Sequence, residues 1–488
     1  MPWGRDPGIV PDPSSAQLYR FSAASGASMR IGVSIGRGRA RVSAAVLDPD
    51  TNDVRAAAAN TLAPADSDTE ALRRSTTALP GTRTEASSVT IAGDWVTRSL
   101  ATGVDLAPAA ALRLAQPGGT ALPPLLGWPE HLRTTARERW AVVSGGHDPL
   151  GRPLAELDTR AVAEFARRVR DDGAQGIAVT AAGSPAVPGH EIAAAEIIEQ
   201  VAPDLRVVLA HELGALGLRA RENTAVLNAA LCPLAATVLH TCQSHLTHHH
   251  PGAAPFFVRY DGSVVNGESF RRLPVTTADA HLAAELCGAS ALAGQQNALV
   301  VAFGAETTDI GLVDRGRPHH APQGTATIAP GMPVSLPLPI HETVSGGTRA
   351  FTGDGAAQAA TDLVRVVTRL QESAVPRPVL VVGDPGAAAH LPQALAAHAP
   401  PNGTAAAAVG AALAQPAAEI SRVVLAERSD LSLIQEEARA EALAAVARAG
   451  ADPASAHIVA ERVGPVGYLP SNVHRLWVRA AGHVGGHP

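Results

Sequence analysis

A chain of 488 residues, 46% hydrophobic and 17% charged, is long enough for two or three domains with substantial buried cores. A formal net charge of −6 and an aromatic content of 3% argue against a nucleic-acid surface, which needs basic stripes and stacking platforms. Arginine supplies every fixed positive charge; with no lysine, neither a Walker-type phosphate lysine nor a Schiff-base lysine is available.

Residues 1–28 are rich in Pro, Ser, Gly and Asp without periodicity and are expected to be a disordered leader. Met29 to Asp48 then reads apolar strand, Gly36-Arg37-Gly38 turn, apolar strand. A further strand is expected at Ser88 to Ala92, and Asp148 lies in a glycine-flanked turn, Gly145 to Gly151. Asp158 to Asp172 carries Val162, Phe165, Ala166 and Val169 at helical spacing. A buried strand at Gly176 to Thr180, a helix at Glu191 to Val201 and a strand at Leu205 to Ala210 complete a first lobe over residues 29–210. Strands alternating with helices predict a mostly parallel sheet there.

His190-Glu191 and His211-Glu212 each follow a strand or its loop. A His beside a Glu suits acid/base work, whereas Glu191 could equally cap its helix and His211 simply end its strand. Glu222 to His240 is a long Ala/Leu-rich helix expected to cross between lobes. Its Cys232 reads as a buried apolar residue. His245, His248, His249 and His250 precede Pro251 and Gly252 and read as a solvated run in a flexible loop rather than a metal site.

The second lobe, residues 211–482, is expected to begin its strands at Phe256 to Tyr260. Leu299 to Val313 reads LVVAFGAETTDIGLV, a second strand–turn–strand whose small and hydroxyl residues offer donors to a phosphate. A Pro/His/Gly-rich loop runs from Arg317 to Pro339. A third glycine turn, Gly383-Asp384-Pro385-Gly386, follows the apolar run Pro378 to Val382. Helices are expected at Gln358 to Gln371, Pro392 to His398 and Leu431 to Ala449, and residues 483–488 form a loose tail. Three cysteines without a C-x-x-C, and apolar runs broken by Gly, Pro or charge, favour a reducing cytoplasm and no transmembrane span.

Two phosphate-type hairpins and a late glycine turn, together with Gly145 to Gly151, Pro188-Gly189-His190-Glu191, HELGALGLRARENTAVLNAAL from His211 and GYLPSNVHRLWVRAAG from Gly467, resemble the hydantoinase A/oxoprolinase family. The resemblance implies an α/β, two-lobed actin-like ATPase (ribonuclease H-like) architecture with an interlobe cleft. It implies ATP-dependent ring opening of a cyclic amide such as hydantoin or 5-oxoproline. Gly36, Gly38, Gly304, Thr307 and Thr308 would cradle phosphates, and Gly383 and Gly386 would approach the adenosine. Asp309, Glu222 and His190 are the catalytic candidates, Glu222 facing the cleft; no metal ligand is assigned.

The family usually begins both hairpins with an Asp that positions Mg²⁺. Here Ser34 and Ala302 stand at those places, which takes away the oxygen anchors a hard cation needs. Arg37 and Arg39 could bind phosphate but could not replace a carboxylate on the metal. The alternative is a catalytically silent nucleotide-binding or regulatory subunit; a weaker one is a scaffold that binds no nucleotide. A hydantoinase B-type subunit is the expected partner, with a homodimer as competitor.

Overall fold

The computed structural model describes residues 29–36, 41–48, 50–61, 67–77, 86, 88–214, 216–351, 356–371, 376–384, 391, 393–426, 430–467, 469–470 and 472–485. The leader over residues 1–28 and the turn residues Gly38 and Gly386 lie outside these.

Four main sheets organise the chain. The first has six strands in the order Val264–Asn266, Ala254–Val258, Ser88–Gly93, Arg30–Gly36, Arg41–Leu47 and Val54–Thr61. Its opening hairpin is antiparallel, and Ser88–Gly93 joins in parallel on the other side of Arg30–Gly36. Ala254–Val258 also pairs in parallel with Ser88–Gly93, so the strand expected to open the second lobe belongs to the first sheet. Its sequence shows why: Phe256, Phe257 and Val258 are buried together, as a strand covered on both faces requires.

Between these strands sits a separate four-stranded parallel sheet in the order Trp140–Ser144, Ala109–Gln116, Gly176–Ala181 and Arg206–Leu209. Helices Thr159–Asp171 and Gly189–Val201 cover one face, and Val162, Phe165, Ala166 and Val169 point inward as their spacing predicts. Asp158 caps the first of these helices, its side chain accepting from the Ala161 N–H at 2.9 Å.

The second lobe's sheet is built on the hairpin Ala298–Phe303 and Thr307–Asp314, with Val379–Val382 parallel to the first of these strands and His341–Ser345 antiparallel to the second. The loop expected over Arg317 to Pro339 contains short strands at Thr327–Ala329 and Met332–Pro333. Of the helix expected at Pro392 to His398, only a short 3-10 turn at Gln393–Leu395 forms. A three-stranded antiparallel sheet, Ala417–Leu425, Val473–Ala481 and His457–Pro465, closes the chain against helix Leu431–Arg448. The tail is pinned at its start: Val484 bridges Ala451, and the Gly485 N–H donates to Gly450 O at 2.9 Å.

Two helices lie between the first and second sheets, Ala280–Ala293 and Ala406–Leu413. They cross backbone to backbone. A Cβ on Gly288 would stand 1.8 Å from Ala406 O, and one on Gly410 would stand 1.9 Å from Ala284 O. Gly32 of the first strand repeats the contact, its would-be Cβ 2.0 Å from Ala408 O. Alanines fill the rest of the layer, which allows two helices and a strand to approach at this spacing.

The long helix spans Leu218–His249, longer than the expected Glu222 to His240, and contains Pro233. By length and composition it could cross a membrane, but its apolar residues are taken up in the cores beneath the first and inserted sheets. His245, His248 and His249 are therefore helical rather than in a loop, with His250 capping the helix end. His245 is buried and stacks on His249 with ring centroids 4.4 Å apart.

Gly410→Val forces a side chain into the helix crossing and is expected to cost about 3 kcal/mol or more. An unchanged Tm in thermal denaturation would contradict the contact. Burial also holds the His245 imidazole down to about 4, against 6.5 in the unfolded chain. The unfolded state then takes up the proton first, so stability should be full above 6.5 and decline as pH falls towards about 4. His245→Gln should flatten that decline in denaturant midpoints compared at about pH 7.5 and about pH 5.

Candidate functional site

The second hairpin closes tightly. The Gly304 N–H donates to Thr307 O at 2.9 Å, and the Gly346 N–H reaches Glu306 O at 2.7 Å. Thr348 clamps the turn from the side, its N–H 3.0 Å and its Oγ1 3.1 Å from Gly304 O. Gly347, in the left-handed region, is pressed against Ala305, where a Cβ would lie 2.5 Å from the carbonyl carbon.

Gly383 meets this hairpin from the neighbouring strand: a Cβ there would fall 2.2 Å from Phe303 O, and its φ of +89° suits glycine. Its carbonyl accepts from the guanidinium of Arg41, which begins the second strand of the first hairpin. Gly36, ending the strand before, abuts His281, with a would-be Cβ 2.6 Å from Nε2. Gly36, Gly304 and Gly383, distant in sequence, therefore gather at one junction between the lobes.

Strand alternation sorts the hairpin's polar residues. Thr307 and Asp309 share the accessible face, whereas Thr308 points into the core, fully buried, its hydroxyl without a hydrogen-bond partner among the described residues. The expectation that Thr308 offers its hydroxyl to a phosphate at the turn is thus corrected: the pleat turns it beside Phe303, its cross-strand neighbour. Asp309 stands opposite Ala302 and accepts from Thr343 Oγ1 at 2.6 Å. Ser34 and Ala302 are both buried within strands, so neither position faces open solvent as a strand end next to a turn would.

Asp279 precedes helix Ala280–Ala293 in a left-handed conformation and faces the same region. Burial pushes its carboxyl up; nearby His341 opposes the shift and the Asp309 charge adds to it. The Asp279 N–H donates to Thr97 Oγ1 at 2.8 Å, tying the second lobe to helix Trp95–Thr102 of the first. Between these walls opens a cavity of about 360 Å³ that includes Thr97, Leu100, Asp279, Ile328, Ile340 and His341 in its lining.

Glu222 does not face the cleft. It is held in a buried pair with Arg113 of the inserted sheet, Nε to Oε2 at 2.6 Å and Nη2 to Oε1 at 2.7 Å, with the two side chains 2% and 3% exposed. Its neighbours on the long helix are equally committed. Asn223 Oδ1 accepts from Trp128 Nε1 at 2.8 Å and its Nδ2 donates to Pro333 O at 2.8 Å, while Thr224 Oγ1 accepts from the Ser335 N–H. The most specific motif of the chain is a structural joint.

A second cluster lies at the carboxyl ends of the parallel strands, where ligands of such sheets gather. The His190 Nδ1 accepts from the Gly146 N–H at 2.8 Å, which places its ring proton on Nε2, and the ring lies 4.4 Å from that of His147. Adjacent residues were the obvious pairs in sequence, but the fold pairs across them. Glu191, wholly buried, takes His211 Nδ1 at 2.7 Å and the His211 and Ala181 N–H groups at 2.9 and 2.8 Å, leaving His211 Nε2 as an acceptor. Glu212 instead meets Arg272 at 3.0 Å. Asp148 serves its own turn, accepting from the Leu150 and Arg152 N–H groups. The local signals for Asp279, Arg41 and His341 were too weak to single them out in the sequence, because the contacts that bring them to the cleft are made with residues distant in the chain.

Two sheets that each begin on a hairpin, joined by a crossed helix pair over a cleft, define the actin-like, two-lobed fold. The solved structures agree. A nucleotide-free acetone carboxylase shares 12% identity at a TM-score of 0.64, covering 94% of this chain and 88% of that one. An ATP-dependent caprolactamase from Pseudomonas jessenii shares 12% identity at a TM-score of 0.67, covering 93% of this chain and 88% of that one. No curated protein matches in sequence. Family models match residues 33–202 as the hydantoinase/oxoprolinase N-terminal region and residues 221–367 as hydantoinase/oxoprolinase. The chain belongs to the hydantoinase/oxoprolinase family.

Removing one half of the buried Arg113–Glu222 pair strands the other charge. Glu222→Ala is therefore expected to destabilise by about 3–5 kcal/mol in denaturant unfolding, with a matching loss for Arg113→Ala and little further loss in the double variant. Full stability in Glu222→Ala would return this carboxylate to the list of candidate catalytic groups.

Proposed function

We propose that this chain is the nucleotide-binding subunit of an ATP-dependent hydrolase of cyclic amides. One observation carries the reading: the Arg41 guanidinium donates to the Gly383 carbonyl and so joins both hairpins at a single junction, with Gly36, Gly304 and Thr307 around it. A guanidinium set beside glycine turns fits an anionic phosphate chain. It does not fit a cation at the usual places, because Ser34 and the Ala302 methyl are buried where carboxylates would be needed. Among the described residues, no group of three or more His, Cys, Asp or Glu side chains forms a metal site.

ATP, when bound, supplies a phosphoryl group that turns the unreactive amide oxygen into a leaving group. This chain's own part is positioning. Arg41 and His281 would meet the phosphates beside the glycine turns, and the Thr343–Asp309 pair places a carboxylate beside the hairpin. A hydantoinase B-type partner would supply what this chain lacks for the hydrolytic step. The second reading, a subunit that holds nucleotide without turning it over, draws on the burial of Ser34 and Ala302.

Isothermal titration with ATP, with and without Mg²⁺, beside phosphate release in the presence of hydantoin or 5-oxoproline, separates these readings. Saturable ATP binding that weakens about tenfold in Arg41→Ala is expected. Binding without release even when a hydantoinase B-type partner is added selects the silent subunit, and Ser34→Asp with Ala302→Asp should then tighten Mg²⁺-ATP. Absence of any nucleotide binding overturns the proposal.

A further inference from the structure

The cavity between helix Trp95–Thr102 and the segment from Ala321 to His341 has an uneven chemistry. Leu100, Ala278, Ala326, Ile328, Leu338 and Ile340 form its apolar wall. Its polar groups are Thr97, Asp279, Thr327 and His341, and among the described residues no guanidinium contributes to the lining. Asp279 and His341 also mark the side of the cavity nearest the second hairpin. Residue 343, two positions from His341, is the Thr that donates to Asp309, and His341 itself pairs with Gly311 of the hairpin strand.

We propose that this cavity is the site of the ring substrate, and that it selects a neutral, largely hydrocarbon lactam over a ring bearing a carboxylate. The inference rests on the function proposed above for the same cleft. An aliphatic ring of five to seven atoms would lie against Leu100, Ile328 and Ile340, where its burial is favourable. The amide would lie at Asp279 and His341, facing the phosphate junction. Burial pushes the Asp279 carboxyl up, which favours its protonated form as a hydrogen-bond donor to the amide oxygen. A carboxylated ring such as 5-oxoproline would bring its negative charge against an apolar wall beside another carboxyl, with no fixed cation among the described lining residues to meet it. Selection against it therefore comes from desolvation rather than from shape.

The test is calorimetric titration of the full chain with ε-caprolactam, δ-valerolactam and 5-oxoproline, each with and without ATP. The lactams should bind at least about tenfold more tightly than 5-oxoproline. Ile328→Trp, at a partly exposed position of the wall, should weaken caprolactam binding about tenfold or more while ATP binding stays within about twofold. Ala101→Trp, on the exposed side of helix Trp95–Thr102, provides a second obstruction should Ile328→Trp fail to fold. Equal or tighter binding of 5-oxoproline overturns the proposal, as does lactam binding unaffected by a folded obstructing variant, or no lactam binding under either condition. Lactam binding in a chain that binds no ATP would sink the proposed function and leave this site standing; ATP binding without lactam binding would do the reverse.

Discussion

The structure depends on the contact made by Gly288 and Gly410. Two helices meet there backbone to backbone between the first and second sheets, and a single methyl at either position would overlap a carbonyl oxygen. That spacing brings the start of helix Ala280–Ala293 to the cleft, so that His281 lies against Gly36 and Asp279 faces the hairpin carrying Asp309. Gly32 and the surrounding alanines extend the same close packing to the first strand. Dispersion at this distance compensates for the small side chains, since many atoms meet at near-contact separation.

The long helix provides the second constraint. Its Glu222, Asn223, Thr224 and Asn228 reach four different segments: Arg113 in the inserted sheet, Trp128 and Pro333, Ser335, and the Arg272–Val275 turn. Buried polar side chains must find partners, and each partner found here fixes the position of another layer. A stretch dense in charged and amide residues within an apolar helix therefore marks a joint as readily as it marks a catalytic centre. The Arg113–Glu222 pair is costly to bury and is offset by its two-pronged geometry and by the further Arg113 bonds to Gly119 O, at 2.9 Å, and to Leu122 O.

The junction of the hairpins has a different character: the Arg41 guanidinium donates to the Gly383 carbonyl, His281 lies against Gly36, and Asp309 is engaged by Thr343. Burial keeps Asp279 towards its neutral form. Neither Arg30–Gly36 nor Ala298–Phe303 carries a carboxylate, and Ser34 and Ala302 are buried within them. The carboxyl edge of the inserted sheet is electrostatically separate. There Glu191 orients His211, and His147 lies against His190 under burial that holds its imidazole below the ordinary value.

Local regularities were legible in the sequence by itself. The two hairpins, the inserted helix Thr159–Asp171 and helix Leu431–Arg448 follow from apolar periodicity, caps and glycine turns, because those signals act within a few residues. The order of its motifs also carried the family resemblance. Tertiary structure alone decided which of the polar residues were available for chemistry. Glu222 was withdrawn by Arg113, 109 positions away, and Thr308 by the pleat that turns it towards Phe303; His211 gained Glu191 rather than Glu212. It also placed Ala254–Val258 in the first sheet and carried the histidine run to the end of a helix. The physical reason is common to all of these: a strand's partner and a buried charge's counter-ion are chosen by long-range packing, and no local pattern in the chain encodes that choice.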